Sequence, residues 1–285
     1  MSAPVTRVVA HPLTGTADHP VDARTGTPFD AGTYSWMKHG DLPAMHRLAD
    51  DVADTLLTAC PWLVTDPRPV VLPVAYLVAP PACRYLADRV AARLTRVRSD
   101  AARVIHVHKD AVTHIDYAAS SEQDRRNDLA RIGFRITEPV RDAVAVVVDD
   151  VRVTGLAEQV MLDLLQGAGI GHTVTAYVAT CDPALAADPS VEAVLNHAAV
   201  RTIHDMIPAV RRGDFVPTIR FLKRLLADPR VTDFLAQCPA ELVQRFRADA
   251  EATGSAFLAG YPAGTAALFA ESDRRSVTTP EEVAT

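Results

Sequence analysis

Residues 144–157 read VAVVVDDVRVTGLA, and no other stretch restricts the fold so tightly. A valine-rich run without a polar break is what a central strand needs when both of its faces are covered. It delivers two adjacent acids, Asp149 and Asp150, to its carboxyl end, and a short loop with Gly155 then turns into a sequence of helical character. A second run of this kind, VVLPVAYLVAP, occupies 70–80.

Between and around these runs the pattern alternates. Apolar residues recur at helical spacing in 42–57 (Met45, Leu48, Ala49, Val52, Leu56), with Asp41 as N-cap and Pro43 in the first turn. Helical spacing returns in 82–98, 123–132 and 155–166, and strands are expected at 102–107 and 172–180. Strand, helix, strand, helix, strand defines an α/β fold with a central parallel sheet flanked by helices. From 191 to 253 the strand signal gives way to helical spacing (Ile203, Met206, Ile207, Val210, Phe221, Leu222, Leu225, Phe234, Leu235). The expected organisation is an extended arm or small hairpin over 1–30, an α/β domain over 31–190, an α-helical C-terminal subdomain over 191–273 and a disordered tail over 274–285.

Composition narrows the function classes. With 29 Lys plus Arg against 35 Asp plus Glu, the 285-residue chain carries a formal charge of -6. That argues against broad nucleic-acid binding, which needs a basic footprint. The basic cluster Arg211, Arg212, Arg220, Lys223 and Arg224 reads as a solvated helix face. No apolar run reaches the roughly 20 residues of a membrane span. The cysteines Cys60, Cys83, Cys181 and Cys238 are far apart without a CxxC pair, which fits a reducing cytoplasm and neither a disulfide framework nor a zinc knuckle. His106 and His108 fall on one strand face, but a third metal ligand is not evident.

The loop at 151–155 has its own chemistry. Open α/β sheets bind ligands outside the carboxyl ends of their strands. A helix that starts there offers unpaired N–H groups and a favourable dipole to an anion. Two carboxylates beside such a cradle suit a ligand with hydroxyls next to a phosphate, such as a ribose 5-phosphate.

At this segment the chain resembles the type I phosphoribosyltransferases, whose motif for 5-phosphoribosyl-1-pyrophosphate (PRPP) is four apolar residues, two acids and a loop ending near TTGxT. Residues 145–148, Asp149 with Asp150, and Thr154 with Gly155 match; Val153 and Ala157 stand where threonine is usual. The resemblance implies that Arg152, Val153, Thr154, Gly155, Leu156 and Ala157 bind the 5-phosphate, and that Asp149 and Asp150 orient the ribose and meet Mg²⁺. It places a pyrophosphate loop at Ala79, Pro80, Pro81 and Ala82, with one X-Pro bond open to the cis form and Arg84 as nearby charge. It reads 108–126 as a flap in which Lys109, His114, Arg125 and Arg126 neutralise pyrophosphate, with His114 or Asp116 as base where the attacking group is a hydroxyl. Segments YSWMKHGD, DYAASSEQDRR and LNHAAVRTIHDMI extend the resemblance to a bacterial group with an appended helical region, some of it linked to tellurium resistance. Tyr34, Lys38, Asp41 and Tyr177 become acceptor-binding candidates.

What the resemblance implies is a Mg²⁺-dependent transfer of 5-phosphoribosyl from PRPP to a small acceptor, nucleobase-like or a sugar or amine precursor. The competing reading is a non-catalytic PRPP- or nucleotide-sensing regulator on the same fold. A helical C-terminus acting as a dimerisation module would make either one a homodimer.

Overall fold

The computed structural model describes residues 5–110 and 132–277. In chain order its first elements are β1 (Val5–Thr16), β2 (His19–Asp22), β3 (Thr27–Pro28), α1 (Ala31–His39), α2 (Leu42–Ala59), α3 (Trp62–Thr65), β4 (Val70–Tyr76) and α4 (Ala82–Val97). Then come β5 (Arg103–Lys109), β6 (Phe134–Ile136), β7 (Val144–Arg152), α5 (Leu156–Gly167) and β8 (His172–Cys181). The helical region comprises α6 (Pro183–Ala186), α7 (Val191–His197), a 3-10 turn (Ile203–Met206), α8 (Ile207–Arg212), α9 (Ile219–Ala227), α10 (Val231–Leu235), α11 (Ala240–Thr253), α12 (Ser255–Ala259) and α13 (Pro262–Val277). Among the described residues no helix is long and apolar enough to cross a membrane.

The described strands form one sheet in the order β3-β2-β1-β8-β7-β4-β5-β6. Its middle strands β1, β8, β7, β4 and β5 are parallel, and β2, β3 and β6 pair antiparallel at the two edges. Leu72, Val74, Val146, Val148 and Ala176 pack on one face against Met45 and Leu48 of α2 and Leu86 and Val90 of α4. Val71, Ile105, Ala145 and Val147 pack on the other against Leu165 of α5 and Ile170. Covering on both sides explains why β4 and β7 carry unbroken apolar runs.

Both ends of the chain are more ordered than the sequence suggests. Residues 1–30 do contain a hairpin, but β1 is no arm: it lies inside the sheet beside β8, with Val8, Ala10 and Leu13 buried. Residues 5–10 read as a short strand, but Pro12 and Gly15 interrupt the alternation and hide its continuation to Thr16. At the other end α13 runs through Val277 rather than giving way to disorder after 273. Arg275 fixes it by donating to the Leu235 and Cys238 carbonyls and to Glu271.

The C-terminal helices have their own core, centred on Phe215, Phe221, Phe234 and Phe246, whose rings lie 4.9–6.5 Å apart. This core reaches back into the α/β part. Ala79 is one of its buried members, and Trp36 of α1 packs against both cores. The Ile219 N–H donates to the Pro80 carbonyl at 3.0 Å. β4 therefore ends at Tyr76, earlier than its apolar run, because the following segment leaves the sheet for the helices. No peptide bond is cis among the described residues, so the X-Pro bonds at Pro80 and Pro81 are trans.

Candidate functional site

A cleft of about 350 Å³ opens at the carboxyl ends of β4, β5 and β7, and the segment from Val147 through Glu158 forms one side of it. β7 ends at Arg152, and Gly155 then takes a left-handed conformation (φ 80°) as N-cap of α5. A residue with a Cβ would be strained there. The first α-helical bond of α5 runs from the Gln159 N–H to the Gly155 carbonyl, so the N–H groups of the first turn are available to an anion.

The two acids diverge. Successive side chains of a strand point to opposite faces, and Asp149 stands beside Tyr177 in the β7–β8 register. Burial, reinforced by the negative charge of Asp150, raises the Asp149 carboxyl above the usual carboxylate range. Asp150 points toward α1, where its Oδ1 accepts from the Tyr34 hydroxyl at 3.2 Å and its Oδ2 from Lys38 Nζ at 2.5 Å. Burial alone would raise Asp150 too, but the Lys38 ammonium and the Val151 N–H hold it below its ordinary value. Tyr34 and Lys38 reach it together because they are four residues apart on one helix face. Asp30 starts that helix by accepting from the Thr33 N–H, and Gly40 ends it at φ 113°.

Further groups close the cleft. Lys109, at the end of β5, has its ammonium 5.5 Å from the centroid of the Phe134 ring, and burial lowers its pKa. Pro81 and Cys83 line the cleft from the start of α4, and burial pushes the Cys83 thiol well up. Two residues of the helical region also line it: Glu192 of α7 and Arg220 of α9, with Arg220 Nη2 3.9 Å from Glu192 Oε1.

At the base of the loop lies Glu158. Its side chain is only 4% exposed. It accepts from Arg7 Nε at 3.0 Å and Nη2 at 2.9 Å, from Arg152 Nε at 2.6 Å and from the Thr175 hydroxyl at 3.1 Å. Burial would raise this carboxyl, but the Arg152 and Arg7 hydrogen bonds prevail and keep it below its ordinary value.

The expected site residues therefore divide. Asp149, Asp150, the loop residues Arg152, Val153, Thr154, Gly155, Leu156 and Ala157, and Lys38, Lys109, Pro81 and Tyr177 share the cleft. Tyr34 lies beneath it, fully buried, on Asp150. Asp41 does not join them: it caps α2 through the Ala44 N–H and pairs with Arg212. Arg84 turns to Asp88 and the Tyr76 hydroxyl. Ala79 and Ala82 are buried in the two cores. His114, Asp116, Arg125 and Arg126, and the helix expected over 123–132, lie outside the described residues.

The basic cluster is not one solvated face. Arg211 bonds Gln237, Arg212 bonds Asp41 and Asp214, Arg220 faces the cleft, and Arg224 holds His39 and the Val200 and Arg201 carbonyls. His106 stacks on Tyr76 at 4.0 Å and meets His108 in a tilted contact at 4.1 Å. Among the described residues no group of three or more His, Cys, Asp or Glu is arranged to hold a metal ion. Sequence reading missed Glu158, Glu192, Arg220 and Arg7 as site residues. Only Glu158 gave a signal, as an acid in the first turn directly after the anion loop.

A family model described as PRTase ComF-like matches residues 16–242. A comparison with curated proteins finds no match. Among solved structures, the hypoxanthine-guanine phosphoribosyl transferase of L. donovani is 10% identical, over 49% of this chain and 70% of that one, with a TM-score of 0.34. The hypoxanthine phosphoribosyltransferase of Trypanosoma cruzi is 10% identical over 50% and 75%, at 0.34. The purine phosphoribosyltransferase of Pyrococcus horikoshii is 19% identical over 48% and 73%, at 0.30. Likeness at this level says nothing about substrate.

Proposed function

This chain belongs to the PRTase ComF-like family, and from that premise we propose that it binds PRPP and transfers the 5-phosphoribosyl group to a small-molecule acceptor, releasing pyrophosphate. One observation carries the reading. Two acids, a left-handed glycine and an unpaired helix N-terminus follow one another along a single edge of the cleft. That order matches a ligand whose hydroxyls neighbour a phosphate.

In this reading the loop from Arg152 to Ala157 binds the 5-phosphate and anchors the substrate far from the reacting carbon, so remote binding energy positions C1. Asp149 accepts from the ribose hydroxyls. Asp150, fixed by Lys38 and Tyr34, keeps a negative charge beneath the ring as positive charge develops there. Lys109 meets the leaving pyrophosphate. The C1–O bond to pyrophosphate breaks with its electron pair leaving on oxygen, and a lone pair on the acceptor makes the new bond to C1 while the acceptor's proton passes to the departing pyrophosphate or to water. Lys38, Tyr177, Glu192 and Arg220 form the wall the acceptor meets.

The donor set fits a Mg²⁺ ion that arrives with the substrate. Such an ion is held by one or two carboxylates plus phosphate oxygens and water, and Asp149 is the carboxylate left to meet it, since Asp150 is engaged by Lys38. Bound there, the ion would offset charge on the departing pyrophosphate.

The test is calorimetric titration of the protein with PRPP and Mg²⁺, beside the Asp149→Asn/Asp150→Asn variant. Saturable binding that the variant loses supports the reading; no binding by the wild type sinks it. A PRPP sensor without turnover is the second reading, favoured by the short Lys38–Asp150 contact, which already satisfies one of the two acids. Pyrophosphate release across a panel of amine, nucleobase and hydroxyl acceptors separates the two.

A further inference from the structure

The Glu158 carboxylate is a poor neighbour for a phosphate. It is buried in the first turn of α5, where a bound anion would sit, and it lines the same cleft as the loop. A lone acid there would repel a phosphate and compete with it for the helix dipole. Here two guanidinium groups face the single carboxylate, so the cluster as a whole carries one net positive charge.

The geometry gives the two arginines different parts. Arg7 grips Glu158 through Nε and Nη2, a bidentate fork that fixes the plane of the carboxylate. Arg7 stands beside Thr175 in the β1–β8 register, and the Thr175 hydroxyl bonds the same carboxylate. Arg152 touches Glu158 only through Nε. The rest of its guanidinium lies along the loop: a Cβ added to Gly155 would come within 2.8 Å of Arg152 Cζ, with Nη2 nearer still. The Nη2 amino group of Arg152 therefore lies against the residue that opens the anion site.

We propose that Glu158 is a positioning residue: tethered by Arg7 and Thr175, it holds the Arg152 guanidinium across the loop so that the terminal edge of Arg152 meets the 5-phosphate. This rests on the phosphoribosyl reading of the cleft and adds to it a side-chain clamp set up in advance. A long arginine at a strand end otherwise loses its rotamer freedom on binding, and fixing it beforehand removes that cost. The loop itself supplies one hydroxyl, Thr154, so a second charged donor accounts for much of its side-chain grip.

The experiment is a double-mutant cycle read by calorimetry, with ribose 5-phosphate as probe and inorganic pyrophosphate as control. The variants are Arg152→Ala, Glu158→Gln and the two combined. Each single substitution is expected to weaken ribose 5-phosphate by about tenfold. The double variant should be no weaker than Arg152→Ala, since Glu158 acts through Arg152. Pyrophosphate affinity should stay within about twofold throughout, which a disrupted fold would not allow. Glu158→Asp keeps the charge and shortens the reach by one methylene; it serves if Glu158→Gln does not fold, and should weaken binding only where Arg152 is present. Losses that multiply in the double variant, or an unchanged affinity in Glu158→Gln, would overturn the clamp while leaving the phosphoribosyl reading intact. A wild type that binds neither ribose 5-phosphate nor PRPP would overturn both.

Discussion

Lys38 Nζ lies 2.5 Å from Asp150 Oδ2, although 112 residues separate them in the chain, and both side chains are almost shut off from solvent (12% and 13% exposed). The contact ties α1 to the carboxyl end of β7. It holds one acid of the pair charged and leaves the other facing the cleft. Removing one partner of such a pair strands a buried charge, which is far costlier than removing both.

Lys38→Met is therefore expected to lower stability by about 3 kcal/mol in urea unfolding. Adding Asp150→Asn to that variant should restore part of the loss. A double variant less stable than Lys38→Met would show that the ion pair is not what couples the two sites.

Acid should loosen the junction between α1 and the C-terminal helices. His39 is fully buried; its Nδ1–H donates to the Ser35 carbonyl and its Nε2 accepts from Arg224 of α9. Burial, helped by the Arg224 charge, pushes its pKa down to about 2. The folded protein thus keeps His39 neutral, while the unfolded chain takes a proton below its ordinary 6.5. This stability is present above pH 6.5 and drains as pH falls, by about 1.4 kcal/mol per unit. Between pH 6.5 and 4.5 the wild type should lose about 2–3 kcal/mol more than His39→Gln in parallel unfolding curves. Parallel slopes would remove the basis for a neutral His39.

Gly155→Ala meets two obstacles, the left-handed backbone and the Arg152 guanidinium beside it. A strained non-glycine at such a φ costs about 1–3 kcal/mol, measurable as a lower Tm. Ribose 5-phosphate binding should fall with it, because the added methyl displaces Arg152. Undiminished affinity would mean that neither group contributes to the anion site.

Asp41→Ala should separate capping from recognition. The loss of an N-cap acceptor lowers stability by about 1 kcal/mol, and the break with Arg212 adds to it. Affinity for PRPP and Mg²⁺ should not change, since Asp41 lies outside the cleft. A selective loss of binding would return Asp41 to the site.

The parts that were legible in the sequence are those set by local chemistry. Buried strands β4 and β7 announced themselves by β-branched runs, α2 by its spacing and cap, and the anion loop by acids followed by glycine. Pairings across the sheet left no such trace. Arg7 and Glu158 are 151 residues apart, and Tyr34 and Asp150 are 116 apart. Nothing near Arg220 distinguished it from its basic neighbours, because the turn of α9 toward the cleft depends on Pro80 and Ala79, far upstream. β1 was legible only in its first half, 5–10: beyond that its proline and glycine imitate a loop, and the neighbouring β8 carries the strand on to Thr16.

The place of β1 also bears on the order in which the molecule is completed. This strand is made long before its parallel neighbour β8, which begins only at His172. Contacts of such long range form slowly, and a waiting strand edge is open to wrong partners. Arg7 can reach Glu158 only after α5 and β8 have been made. The charge that balances the loop is thus made well before the carboxylate it meets, 151 residues further along the chain, and is among the last to find its place.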